Sequence, residues 1–180
     1  MVMESSETSN LRAVLFDRDG TLVVDVPYNG DPDLVQPMPG AKEVLDGLRA
    51  AGIATGVISN QSGIARGLIT PGDVARVNAK VEELLGPFDV WEICPHSEQD
   101  RCACRKPAPG MVHNACHKLG ISASQTALIG DIGADVGAAE AAGAIGVLVP
   151  TPVTRAEEVA RARLVAADLA SAVGLLQAAP

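Results

Sequence analysis

Aromatic side chains are nearly missing: the chain has one Trp, one Tyr and two Phe among 180 residues. Stacking platforms of the kind that grip single-stranded nucleic acid therefore cannot be built. Positive charge is also scarce. Fourteen Lys and Arg face 22 Asp and Glu, for a formal net charge of −8, and repulsion of that sign disfavours a nucleic-acid phosphate backbone. No apolar run approaches the roughly 20 residues a membrane-spanning helix needs. The first ten residues are polar and acidic, with no basic flank leading into an apolar stretch, so no secretory signal is read there. Internal repeats and low-complexity tracts are lacking. These absences lead us to expect a cytoplasmic, monomeric protein without nucleic-acid or membrane partners. Residues 1–10 are expected to form a flexible lead-in, and 11–180 a single domain.

Hydrophobic residues make up 47 % of the chain, enough for one ordinary core. They fall into short apolar runs at 13–16, 53–58, 88–93, 126–129 and 144–149. Short runs that are largely apolar, as 13–16 is at every position, indicate parallel strands covered on both faces. Helical spacing lies between them, at 41–51, 70–86, 109–119 and 134–142. Thr70-Pro71-Gly72-Asp73 is a helix start, with Thr as cap, Pro in the first turn and Asp at the positive end of the dipole. Beyond residue 154 the pattern gives a short helix, a weak strand at 164–165 and a closing helix. Strand–helix alternation of this kind predicts an α/β fold, a Rossmann-like three-layer sandwich around a mostly parallel sheet.

Ligands of open α/β sheets bind beyond the carboxyl ends of the strands. The residues expected there are Asp17 and Asp19, then Ser59 and Asn60, then Lys106, then Asp131 and Asp135. Two carboxylates two residues apart suit phosphoryl transfer. One attacks phosphorus, and the other protonates the leaving oxygen and later activates water. Several carboxylates on one rim need a hard cation, and Asp17 with Asp131 would suit Mg²⁺. Ser59 offers a hydroxyl and Asn60 an amide to phosphoryl oxygens, and Lys106 a fixed charge. Asp135, one helical turn beyond Asp131, would support the metal or orient Lys106.

Cys94, His96, Cys102 and Cys104 crowd into eleven residues. All four are side chains that zinc prefers, and the set leaves no open position, so the site is read as structural. The segment 97–101 is wholly polar and cannot order itself by burial, so metal binding would supply its order. Arg105 and Lys106 follow directly. Cys116 stands apart, in a helix.

Asp17-Arg18-Asp19-Gly20-Thr21, Ser59-Asn60, Lys106, and Gly130-Asp131 with Asp135 together resemble the four motifs of the haloacid dehalogenase superfamily of phosphatases. The resemblance spans residues 12–150. It implies a central first strand, Asp17 as nucleophile, Asp19 as general acid and base, and Mg²⁺ held by Asp17, the Asp19 backbone and Asp131. The Cys/His loop, the run 59–67 and the run 102–107 are similar to the branch containing heptose 1,7-bisphosphate 7-phosphatases and the related histidinol-phosphate phosphatases. That likeness implies removal of the 7-phosphate from D-glycero-D-manno-heptose 1,7-bisphosphate, with histidinol phosphate as the rival substrate. A catalytically inactive zinc-loop binding protein is the rival of another class. The likeness also implies that Asp25, Tyr28, Asn60, Gln61, Ser62 and Arg105 meet a small phosphorylated sugar. Ile132 follows Asp131 where that branch usually carries a basic residue. The short stretch between Asp19 and Ser59 leaves no room for a cap domain, so selectivity falls to the loops 25–36, 60–69 and 95–106.

Overall fold

The computed structural model describes residues 10–178. Residues 1–9 of the expected lead-in lie outside them. Five strands form one sheet: β1 (Ala13–Phe16), β2 (Ala54–Asn60), β3 (Val90–Cys94), β4 (Thr126–Gly130) and β5 (Ile145–Leu148). Their order is β3-β2-β1-β4-β5, with every pair parallel. The first strand is therefore central, and its four residues are buried.

Strand periodicity divides the core in two. Val14 and Phe16 face one way, packing with Val57, Ile129 and Val147. Over them lie α1 (Ala41–Ala50), α2 (Pro71–Leu85) and α6 (Leu169–Ala178), through Leu45, Leu48, Val77, Val81 and Leu176. Leu15 faces the other way with Ile58 and Leu128, under α3 (Gly110–Leu119) and α4 (Gly133–Ala142), which contribute Met111, Val112, Ala138 and Ala139. This is the expected three-layer sandwich.

Local chemistry sets the element ends. Thr70 Oγ1 accepts from Asp73 N at 3.1 Å, and an Asp73 carboxylate oxygen accepts from Thr70 N at 2.7 Å. This reciprocal box starts α2 as the sequence foretold. Gly40, at φ 77°, precedes α1, a conformation open to glycine without strain. The structure moves two boundaries that matter. β2 continues through Ser59 and Asn60, which pair with Ile93 and Cys94, so both residues belong to the strand and do not follow it. The weak strand at 164–165 is a single parallel bridge, Val165 to Leu148, just before α6. The short helix preceding it is α5 (Ala156–Arg161).

Between β1 and α1 the described chain makes only turns, the bridges of Val23 to Asp19 and Pro37, and one 3-10 turn at Pro32–Leu34. No cap domain is inserted there. None of the described helices is long and apolar enough to cross a membrane.

The centre of the sheet is tightly packed at Gly56. A Cβ there would lie 2.8 Å from Leu15 Cδ2 and collide with Val90 Cγ1. Gly56→Ala is therefore expected to destabilise the fold by about 1–3 kcal/mol, measured as a lowered urea midpoint with an unchanged m-value.

Candidate active site

The backbone of Asp17 leaves β1 still tied to the sheet, its N–H donating to Ile129 O at 2.9 Å. Its carboxylate meets Lys106, whose Nζ donates to Asp17 Oδ1 at 2.8 Å and to the Ile58 carbonyl at 2.9 Å. The same ammonium lies 2.7 Å from Asp135 Oδ1. Asp131 completes a buried trio with Asp17 and Asp135, their carboxylate oxygens within 4.8 Å of one another. Gly20, at φ 82°, turns the chain beneath them. A Cβ at that position would strike the Asp131 carboxylate, so glycine alone permits the approach.

Burial is the main cause that pushes the Asp17 carboxyl well above its ordinary value. Lys106 pulls it back, and Asp135, Asp131 and Asp19 push it further up. Burial, then Asp135, raises Asp131 to about 6. Burial alone would lower the Lys106 ammonium, but Asp135 and Asp17 hold it above the usual lysine value. Low dielectric thus disfavours the charged carboxylates and leaves the trio short of positive charge. That deficit, together with three convergent oxygens, is what a hard divalent cation fits.

Asp19 sits in a different environment. Arg18 grips it with two N–H bonds of 3.0 Å, from Nε and Nη2, while Nη1 donates to Asn78 Oδ1 on α2 at 2.7 Å. Arg18 is almost wholly buried, at 1 % exposure. Gln61 Nε2 donates to Asp19 Oδ2 at 2.9 Å and to Ser59 Oγ at 2.8 Å. Ser59 therefore joins the site through Gln61. Asn60 is used differently from the expectation. Its Nδ2 donates to Lys106 O at 3.2 Å, and its Oδ1 accepts from Lys106 N at 3.1 Å. The amide pins the Lys106 backbone while still lining the cleft.

These groups open onto a cleft of about 350 Å³ whose walls include Asp17, Asp19, Asp25, Tyr28, Gln61 and Ser62. Burial, then the nearby Asp19 charge, raises the Asp25 carboxyl. Tyr28 adopts φ 52° and stays exposed. Arg66 Nη1 donates to its hydroxyl at 3.2 Å, with the guanidinium carbon 5.9 Å from the ring centre. Arg105 does not line this cleft. It lines an adjoining cavity of about 810 Å³ that shares Asn60, Lys106 and Ile132 with it.

The Cys/His loop closes as the spacing implied. Cys104 Sγ lies 3.1 Å from Cys94 Sγ, 3.4 Å from Cys102 Sγ and 3.2 Å from His96 Nδ1. Cys94 Sγ is 3.6 Å from both Cys102 Sγ and His96 Nδ1. A tetrahedral zinc site with bonds of about 2.0–2.3 Å has edges of roughly 3.5–3.8 Å; the two edges from Cys94 to Cys102 and His96 fall in that range, and the three at Cys104 are shorter, so four zinc-type ligands converge in a cage slightly tighter than such a site. Burial pushes the Cys94 thiol up to about 12. Burial acts the same way on Cys102, but backbone N–H groups and neighbouring thiols bring it down to about 6. Arg105 N donates to Cys102 Sγ at 3.3 Å, which links the cage directly to the basic pair that follows.

Arg18 and Arg66 were not singled out from the sequence. Arg18 lies inside the Asp17–Thr21 motif, yet nothing local reveals its reach to Asn78. Thr154 Oγ1, which donates to Asp131 O at 2.7 Å, is equally invisible before folding.

The raised Asp131 value has a consequence for stability. Between its ordinary 3.8 and about 6, the folded chain keeps a proton that the unfolded chain has released. Stability of the metal-free protein is therefore expected to fall as pH rises through that window, by no more than roughly 3 kcal/mol from this group. Urea titrations in chelator from pH 4 to 7 measure the fall, and Asp131→Asn should reduce it, leaving the part that the raised Asp17 carboxyl contributes.

Comparison with known proteins agrees with this geometry. Residues 103–172 match a family model described as HAD-hydrolase-like. The D-glycero-beta-D-manno-heptose-1,7-bisphosphate 7-phosphatase of Neisseria meningitidis is 33 % identical over 146 residues, 78 % of each chain. The enzyme of that name from Pseudomonas aeruginosa is 35 % identical, across 77 % of this chain and 80 % of its own. Among solved structures, the D,D-heptose 1,7-bisphosphate phosphatase of B. bronchiseptica, complexed with magnesium and phosphate, superposes with a TM-score of 0.81. That match has 30 % identity and covers 94 % of this chain and all of that one. With identity near one third over more than three quarters of both chains, the protein belongs to the haloacid dehalogenase-like phosphatases.

Proposed function

We propose that this protein is a magnesium-dependent phosphomonoesterase that acts through an aspartyl-phosphate on Asp17 and removes the 7-phosphate from D-glycero-D-manno-heptose 1,7-bisphosphate. The observation that carries the chemistry is the buried Asp17 carboxylate, 2.8 Å from Lys106 Nζ, facing a cleft that it shares with Asp19. The sugar bisphosphate is supported by relatives that carry that substrate in their names.

Asp17 and Asp131, with the Asp19 backbone carbonyl, would hold Mg²⁺, while Asp135 is committed to Lys106. When bound, the ion offsets the carboxylate charge and neutralises phosphoryl oxygens. The chain supplies the remaining chemistry. A carboxylate oxygen of Asp17 attacks phosphorus as the P–O ester bond breaks. Asp19 gives its proton to the departing sugar oxygen. It then takes one from the water that attacks the aspartyl-phosphate, releasing inorganic phosphate and restoring Asp17. Lys106 holds Asp17 in place and stabilises charge on the phosphoryl group. Ser59 offers it a hydroxyl, and Asn60 acts through the Lys106 backbone. Asp25, Tyr28, Gln61 and Ser62 meet the sugar, and Arg105 approaches from the adjoining cavity. Cys94, His96, Cys102 and Cys104 hold a structural Zn²⁺. A single-domain monomer is the assembly this reading assigns.

Purified protein with Mg²⁺ is expected to hydrolyse heptose 1,7-bisphosphate faster than histidinol phosphate; the reverse order would replace the substrate reading. Asp17→Asn should lower kcat by about 1,000-fold or more. Equal, slow phosphate release by wild type and variant would leave a binding protein in place of an enzyme.

The zinc reading has its own check. Elemental analysis should find about one zinc per chain, and stripping it with a strong chelator should lower Tm and kcat/KM together, because the cage anchors Arg105 and Lys106. Protein that arrives metal-free with its three loop thiols reactive would refute the site.

A further inference from the structure

The larger cavity beside the catalytic cleft is unusual for a chain of net charge −8. Arg101, Arg105, Arg155 and Arg161 line it, opposed by Glu98, Glu140 and Glu158. Two of these arginines have unspent donors. Arg105 Nη1 is buried without a hydrogen-bond partner among the described residues, and its Nη2 reaches Glu98 only at 3.5 Å. Arg155 Nη2 donates to Glu158 Oε1 at 3.1 Å, while its Nη1 lies 3.9 Å from Glu157, too far for a hydrogen bond.

The placement of Arg155 is specific. Glu158 Oε1 accepts from Arg155 Nη2 and, at 3.2 Å, from the backbone N–H of Gly133. One carboxylate oxygen thus docks the guanidinium against the residue that follows Ile132. The neighbouring Thr154 ties the same segment to the Asp131 carbonyl at 2.7 Å. Ile132 is apolar and borders both cavities, so it offers no charge of its own at their junction. Arg155, with a side chain 69 % exposed, brings a solvated cation into the larger cavity from the residue that precedes α5.

We propose that Arg155, which lines this groove with Arg105, is a specificity-determining cation for the second phosphate of a bisphosphorylated substrate whose first phosphoryl group sits at Asp17. The inference rests on the phosphatase reading above. A dianionic phosphate has the acceptors that two guanidinium forks leave unfilled.

The test compares heptose 1,7-bisphosphate with heptose 7-phosphate on wild type, Arg155→Ala, Arg155→Lys and Glu158→Gln. Arg155→Ala should raise KM for the bisphosphate about tenfold, with kcat held within about twofold. KM for the monophosphate should change less than twofold, and Arg155→Lys should recover part of the loss. Glu158→Gln keeps an acceptor for Gly133 while removing the competing charge, so its KM for the bisphosphate should stay level or fall. Equal effects of Arg155→Ala on both substrates, or none, would overturn the inference. So would a rise in Glu158→Gln matching that in Arg155→Ala, since the cause would then be structural. A wild type inactive on both substrates would sink the phosphatase reading itself, a result distinct from all of these.

Discussion

Lys106 carries one ammonium into a space that three carboxylates already occupy. Its side chain is 2 % exposed, and it meets Asp17 at 2.8 Å, Asp135 at 2.7 Å and the Ile58 carbonyl at 2.9 Å. A charge that deep is tolerated only when paired and hydrogen-bonded, and removing either partner leaves the other uncompensated. Much of the surrounding structure serves to keep this residue in place. Asn60 clasps its backbone from β2 through both a donor and an acceptor. The Cys/His cage holds the preceding residue by Arg105 N to Cys102 Sγ. Gly110, whose N–H donates to Ala103 O at 3.0 Å, brings α3 close behind. The loop lacks an apolar interior, so the order that a core would impose elsewhere has to come from thiol and imidazole contacts.

A second network runs parallel to the first. From Asn78 on α2, it passes through the buried Arg18 to the Asp19 carboxylate, then through Gln61 to Ser59 at the end of β2. The two carboxylates of the motif are therefore held by different parts of the molecule. Asp17 depends on Lys106 and the sheet; Asp19 depends on α2 and the 60–69 loop. Two carboxylates only two residues apart are thereby positioned independently, each by its own set of partners.

This division explains what the sequence disclosed and what it withheld. Runs such as 13–16 and 127–129 disclosed the parallel sheet because burial on both faces leaves no polar position to alternate. The Thr70–Asp73 box disclosed the start of α2 because capping is local. The rim residues were legible because strand ends sit where ligands bind in open sheets. Pairings across long stretches of chain were not legible. Nothing near Asn60 announces Lys106, and nothing near Arg18 announces Asn78, since each partner arrives only when strands or helices dock. Strand ends were misjudged for a related reason: Ser59 and Asn60 look like turn residues, yet pairing with β3 carries them into the sheet. Arg105 was assigned to the sugar-binding wall with the others, but the cage turns it toward the adjoining cavity.

The open architecture bears on which chemistry follows once phosphate is on the enzyme. With only turns between β1 and α1, no described element covers the cleft. An aspartyl-phosphate at such a rim stays within reach of water, and transfer to another sugar would need that water excluded. Hydrolysis is therefore the outcome the architecture favours, with selectivity left to short loops and to charge. Apolar burial cannot grip a phosphorylated sugar, and aromatics for stacking are nearly absent. Guanidinium groups remain as the tool that suits the ligand, and they stand beside the cleft at Arg105 and Arg155. Each keeps a carboxylate partner: Glu98 at 3.5 Å from Arg105, and Glu158 hydrogen-bonded to Arg155 at 3.1 Å. Such pairs lower the cost of holding an unliganded cation near a crowded acidic site while leaving donors for a stronger anion.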